Sequence, residues 1–224
     1  MSSTSPRLGL RVPIALVALS VIPVFAGIAR LVQLSGGPQI IPEDSRFTSS
    51  PVAVVMHVVC SITYALFGAM QFAPGFRRRH PGWHRRAGRV LVVAGLGVAV
   101  SALWLTLFYP RKENSGDLLY FLRLAFASGM VTCLVLGVTA IRRRDVAAHR
   151  AWMIRGYALG LGAGTQAFTE GFGGALFGTS ALALDASRGI AWIINLAIAE
   201  WAIRQPRRRS RRPTTARALV GAQS

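Results

Sequence analysis

Apolar positions in this chain form long unbroken runs instead of alternating with polar ones. Six windows reach roughly the length of a membrane helix: 12–34, 52–72, 88–109, 118–141, 152–177 and 188–203. About 20 such residues are needed to cross about 30 Å of hydrocarbon at about 1.5 Å per residue. Stretches rich in Pro, Gly or charge separate the windows, at 35–51, 73–87, 110–117, 142–151 and 178–187. No segment shows the period-two alternation of a membrane barrel. In lipid, only helices and closed barrels satisfy every backbone polar group. The expected fold is therefore all-α, a six-helix transmembrane bundle. Residues 1–11 form a cytoplasmic N-terminal segment, 12–204 the membrane domain and 205–224 a basic, disordered cytoplasmic tail. The first window has a second reading. Arg7 and Arg11 before an apolar stretch that ends in Ala26, Gly27 and Ala29 resemble a signal peptide. The apolar run continues through Leu31 and Val32 to spanning length, which favours a retained helix kinked at Pro23.

Composition agrees with the pattern. Of 224 residues, 52% are hydrophobic and 15% charged, and the mean hydropathy is +0.44. Soluble domains carry about 25% charged residues, so a water-exposed globule is excluded, and so is a disordered chain. Against this background stand 26 Lys+Arg and 8 Asp+Glu, a formal charge of +18.

The position of that charge gives the orientation. Lys and Arg accumulate in short cytoplasmic loops. With the N-terminus inside, the inner segments hold Arg7 and Arg11, Arg77–Arg79, Arg85, Arg86 and Arg89. They also hold Arg142–Arg144, Arg150, Arg155 and seven arginines between Arg204 and Arg217. Outside remain Arg30, Arg46, Arg111, Lys112, Arg123 and Arg188, with Glu43, Asp44, Glu113, Asp117 and Asp185. The topology is N-in/C-in. Basic residues scattered over three loops and a tail, without an aromatic platform, do not form a nucleic-acid surface. They suit anionic lipid at the cytoplasmic face, worth about 1 kcal/mol per cation. Cys60 and Cys133 lie at depths roughly 10 Å apart, beyond the ~7 Å reach of a disulfide. Arginine in place of lysine, with much Ala, Gly and Val, suggests a high-GC bacterium and hence the bacterial plasma (inner) membrane.

One pattern repeats. Residues 77–85 read Arg-Arg-Arg-His-Pro-Gly-Trp-His-Arg, and residues 142–150 read Arg-Arg-Arg-Asp-Val-Ala-Ala-His-Arg. Each closes a helical hairpin on the same side, which points to a parallel duplication of spans 2–3 and 4–5 about an axis along the membrane normal. His84 and His149 are then equivalent.

These residues also carry a likeness. His84-Arg-x-x-Gly-Arg89, His149-Arg-x-Trp-Met-x-Arg155, the span from His57 to Gln71 and Asn195…Glu200-Trp201 resemble the domain-of-unknown-function 2306 family of membrane proteins, over about residues 52–204. The resemblance implies a multi-pass helical fold and supplies no mechanism. The family pattern leads one to expect an arginine late in span five, where this chain has Gln166 and Glu170.

Ionisable groups within a membrane cost roughly 2.5–3.5 kcal/mol each and are functional candidates by default. The intramembrane polar candidates are His57, Gln71, Arg123, Gln166, Glu170, Asn195 and Glu200. His57, Tyr64 and Gln71 recur every seven residues along one stripe. Glu170 is the expected partner of Arg123, and Arg204 that of Glu200 at i,i+4. His84 and His149 lie at equal depth amid Arg85, Arg89, Arg150 and Arg155. Membrane cytochromes hold b-type haem between two imidazoles, with arginines suited to the propionates. The pair is thus a candidate metal or haem b site, and His57 is too far from it to join. Interfacial histidines that cap helices or meet lipid phosphates are the plainer account. No His-Glu-x-x-His, phosphate-binding glycine loop or Gly-x-Ser-x-Gly is present. Gly160, Gly162, Gly164, Gly171 and Gly174 read as packing faces. Three functions remain open: a haem- or quinone-linked redox protein, an anionic-lipid or small-anion binding or transport module, and a non-catalytic accessory subunit.

Overall fold

A computed structural model describes residues 10–47, 50–111 and 115–205. The expected cytoplasmic segments 1–11 and 205–224 lie outside the described residues, except for 10, 11 and 205. Eight α-helices and no strand occur among the described residues: α1 (Arg11–Leu34), α2 (Val52–Met70), α3 (Pro74–Arg79), α4 (Pro81–Phe108), α5 (Asp117–Arg142), α6 (Val146–Gly160), α7 (Gly162–Phe177) and α8 (Ala181–Arg204). Five of them, α1, α2, α4, α5 and α8, are long and apolar enough to cross a membrane.

The helix ends follow local chemistry. Gly36, with φ +86°, closes α1, and Gly37 N–H bonds back to Val32 O at 2.9 Å. Pro81 opens α4 at a position where its missing N–H costs nothing. Asp145 caps α6 by accepting from Ala148 N–H at 2.9 Å, and Ser180 caps α8 through Ala183 N–H at 3.3 Å.

Two boundaries differ from expectation. The loop 73–87 is largely helical, since α3 takes in Arg77–Arg79 and α4 begins seven residues before the apolar run. Proline at the first turn of each helix compensates for the charge and glycine that marked this stretch as a break. The two arginine-triplet turns consequently differ: Arg142 ends α5, and Arg144 takes φ +63° in a tight turn. The second difference is larger. Window 152–177 is not one helix, because it breaks at Leu161 into α6 and α7.

A four-helix core is formed by α2, α4, α5 and α6, in which the hairpins α2–α4 and α5–α6 pack most extensively. Tyr64, Leu91, Val98, Met130, Leu134 and Tyr157 fill its centre. Tyr157 packs between Tyr64 and Phe72 with its ring tilted to both, centroids 5.5 and 4.9 Å away, and its hydroxyl donates to Ala65 O at 2.7 Å. Outside this core, α8 packs on α5, α6 and α7, while α1 leans on α2 and α7. Cys60 and Cys133 are free thiols.

Candidate functional site

The break at Leu161 leaves Ala158 O without the N–H that an unbroken helix supplies four residues on. Asn195 of α8 fills the gap: its Nδ2 donates to Ala158 O at 3.1 Å, and its Oδ1 accepts from Thr165 Oγ1 at 2.7 Å. One buried amide thus ties α6, α7 and α8 together. Close approach fixes the glycines here. A Cβ on Gly162 would collide with Trp192 Nε1, and one on Gly164 would lie 2.5 Å from Leu19 O. Leu19 O is the carbonyl that Pro23, lacking an N–H, leaves without its helical donor. The interruption in α1 and the break between α6 and α7 therefore meet.

Beside that meeting point lies a cavity of about 450 Å³, within the range of small-molecule sites. It extends from Leu161 and Trp192 to Arg46, Phe47 and Tyr109, between α1, α2, α4 and α5. Most of its wall is apolar: Val24, Val58, Ile62, Val98, Leu105, Phe126 and Met130. Its polar groups include His57, Arg46, Arg123 and Gln166.

His57 is held in one orientation. Its Nδ1 lies 3.0 Å from Ser101 Oγ and 3.3 Å from Val98 O. Ser101 Oγ donates its hydrogen to Gly97 O at 2.5 Å. Both partners of Nδ1 therefore accept, so Nδ1 carries the proton and Nε2 the lone pair.

Arg123 does not meet Glu170. Arg188 of α8 takes Glu170 instead, with Nε–Oε1 2.9 Å and Nη2–Oε2 3.0 Å. The reason is that α8 starts at Ala181, well before the apolar run that begins at Arg188, which brings Arg188 onto α7. Among the described residues no carboxylate lies within ion-pair distance of Arg123. By contrast, Arg46 is bound to Asp44 at 2.6 Å and donates to Pro110 O at 3.2 Å. The Arg46 guanidinium holds the Asp44 carboxyl below the usual aspartate range, against the opposing effect of partial burial. Gln166 Nε2 donates to Arg188 O at 3.3 Å.

At the opposite end, His84 and His149 each occupy the fourth residue of their helix, and their N–H groups bond to His80 O and Asp145 O at 3.1 and 3.0 Å. His149 lies within electrostatic reach of His84, as do Arg77 and Arg85. His149 Nδ1 sits 2.8 Å from Gly137 O, whereas the buried Nδ1 of His84 and both amide atoms of Gln71 have no partner among the described residues. The surrounding arginines are dispersed. Arg85 and Arg89 are exposed, and Arg150 donates to Ala202 O at 3.2 Å. Arg155 grips Glu200 with two bonds of 2.5 and 3.1 Å and stacks on Trp152. Arg204 is a distant second partner of Glu200 at 4.0 Å. Neither histidine lines the cavity, and among the described residues no three metal-ligating side chains cluster. The geometry lends no support to a haem or quinone role.

His57, Arg123 and Gln166 stand out in the sequence, whereas Arg46 reaches the cavity, and the buried Ser101 reaches His57, only through the tertiary fold. Nor does Asp185 stand out there, whose fully buried carboxylate accepts from Gly116 and Leu119 N–H at the start of α5.

Residues 54–203 match the family model described as a predicted membrane protein, DUF2306. The chain belongs to the DUF2306 family. The match takes in nearly all of α2, all of α3 to α7, both His-Arg motifs and nearly all of α8, as the resemblance led one to expect. No curated protein and no solved structure matches the chain.

Proposed function

We propose that this membrane protein is a binding or transport module for an amphipathic molecule with an anionic headgroup, held in the cavity between α1, α2, α4 and α5. The observation that carries this reading is Arg123. Its guanidinium is exposed at the cavity and, among the described residues, has no carboxylate within ion-pair distance; an ionised group at this depth in a membrane calls for an anion from elsewhere. Apolar walls suit the hydrocarbon part of the same molecule. In this reading the chain crosses the plasma membrane six times, with α6 and α7 together as the fifth crossing. Both termini are cytoplasmic, and the arginines around α3 and the α5–α6 turn face anionic lipid at the inner surface. The Arg46 and Arg123 end of the cavity then lies toward the outer leaflet.

The test is native mass spectrometry of protein purified in mild detergent. Anionic lipid is expected to co-purify. Arg123→Gln is expected to lower its retention roughly tenfold or more, the worth of a charge-assisted hydrogen bond. Retention that survives Arg123→Gln but falls when Arg85 and Arg150 are replaced would overturn the reading and move the site to the arginine-rich loops.

A further inference from the structure

The cavity contains a second recognition element that the anion does not use. His57 is the sixth residue of α2 and Arg123 the seventh of α5, each counted from the same end of the bundle. At about 1.5 Å per residue they sit at closely similar depths, roughly 8–9 Å in. Both line the same space. Ser101 and Val98 fix the His57 proton on Nδ1. Nε2 makes no hydrogen bond to protein among the described residues, and it is not among the buried atoms that lack one. It is therefore an accessible lone pair on the cavity wall that can only accept.

Resting on the function proposed above, we infer that the ligand is an anionic lipid whose headgroup also carries a hydroxyl: the charge meets Arg123, and the hydroxyl donates to His57 Nε2. A headgroup with charge alone leaves the His57 lone pair desolvated and unpaired, which sites built to hydrogen-bond a hydroxyl reject. Apolar walls from Val24 to Met130 select a lipid over a free headgroup.

Two probes with equal charge and equal chains separate the terms. Phosphatidylglycerol offers hydroxyl donors, and phosphatidylmethanol offers none. Wild-type protein is expected to retain phosphatidylglycerol about three- to tenfold better in direct competition, the range for one hydrogen bond. His57→Phe is expected to bring phosphatidylglycerol down to the level of phosphatidylmethanol and to leave the latter unchanged. Arg123→Gln is expected to weaken both lipids equally. Equal retention of the two lipids by wild type, a comparison that needs no variant to fold, overturns the inference. If Arg123→Gln still weakens both in that case, the anionic-lipid function stands; if it weakens neither, the function falls as well.

Discussion

The carboxylate of Asp185 on α8 accepts a hydrogen bond from Leu119 N–H at 3.0 Å in the first turn of α5. The same Oδ2 takes Gly116 N–H at 2.9 Å, so a side chain from another helix does the work of an N-cap. The N-cap residue of α5 itself, Gly116, has no side chain to cap it. Asp185 is fully buried, and Arg188 lies 3.6 Å from its other oxygen.

Asp185→Ala should destabilise the fold by about 1–3 kcal/mol, since it strands two N–H donors, that of Leu119 fully buried. Asp185→Asn keeps one acceptor and should cost less. Thermal unfolding in detergent reads the order wild type, Asn, Ala; an Ala variant as stable as wild type would show that the cap contributes nothing.

Glycines of α7 divide by what surrounds them. Gly162→Ala places a methyl against the Trp192 indole and should cost about 1–3 kcal/mol through overpacking. A methyl added at Gly174 meets nothing within 4 Å, so Gly174→Ala should stabilise by up to about 1 kcal/mol through helix propensity. The same melting experiment should move in opposite directions for the two variants.

Acid should loosen the turn at Ser45–Phe47 beside the cavity. Arg46 depresses the Asp44 carboxyl. A group with a lowered folded-state pKa stabilises above its unfolded value, about 3.9, and that contribution disappears as the pH falls through the folded value. Hydrogen exchange across Ser45–Phe47 should stay protected from neutral pH to about 4, judged by that unfolded value, and quicken below it. Asp44→Asn should exchange quickly throughout; a pH-independent wild type would contradict the assignment.

Orientation can be read chemically. In a Cys60→Ser, Cys133→Ala background, Ser180→Cys should react with an impermeant maleimide added to intact cells, whereas Arg86→Cys should react only after lysis. Both positions are exposed. The reverse result would invert the topology.

The long helices were legible because an unbroken apolar run has only one economical structure in lipid. The interruption at Leu161 was not, since Gly160–Gly164 is apolar and a hydropathy window averages across it. The partner of Glu170 was misread for a related reason. Charge and small residues at 181–187 hid the first two turns of α8, and with them the position of Arg188. His57 and Arg123 stood out as costly polar groups, yet nothing in their local sequence shows that they share a cavity. That depends on how α2 and α5 are spaced around α4.

The tie between Ala158 and Asn195 bears on the order of biogenesis. A segment interrupted at Leu161 emerges from the ribosome before the amide that completes its backbone bonding, which comes 37 residues after Ala158. Until the last helix arrives, that carbonyl has no donor and the interrupted pair is a poor guest for hydrocarbon. It should linger beside the insertion machinery, and a chain stopped before Ala181 should be degraded instead of accumulating in the membrane.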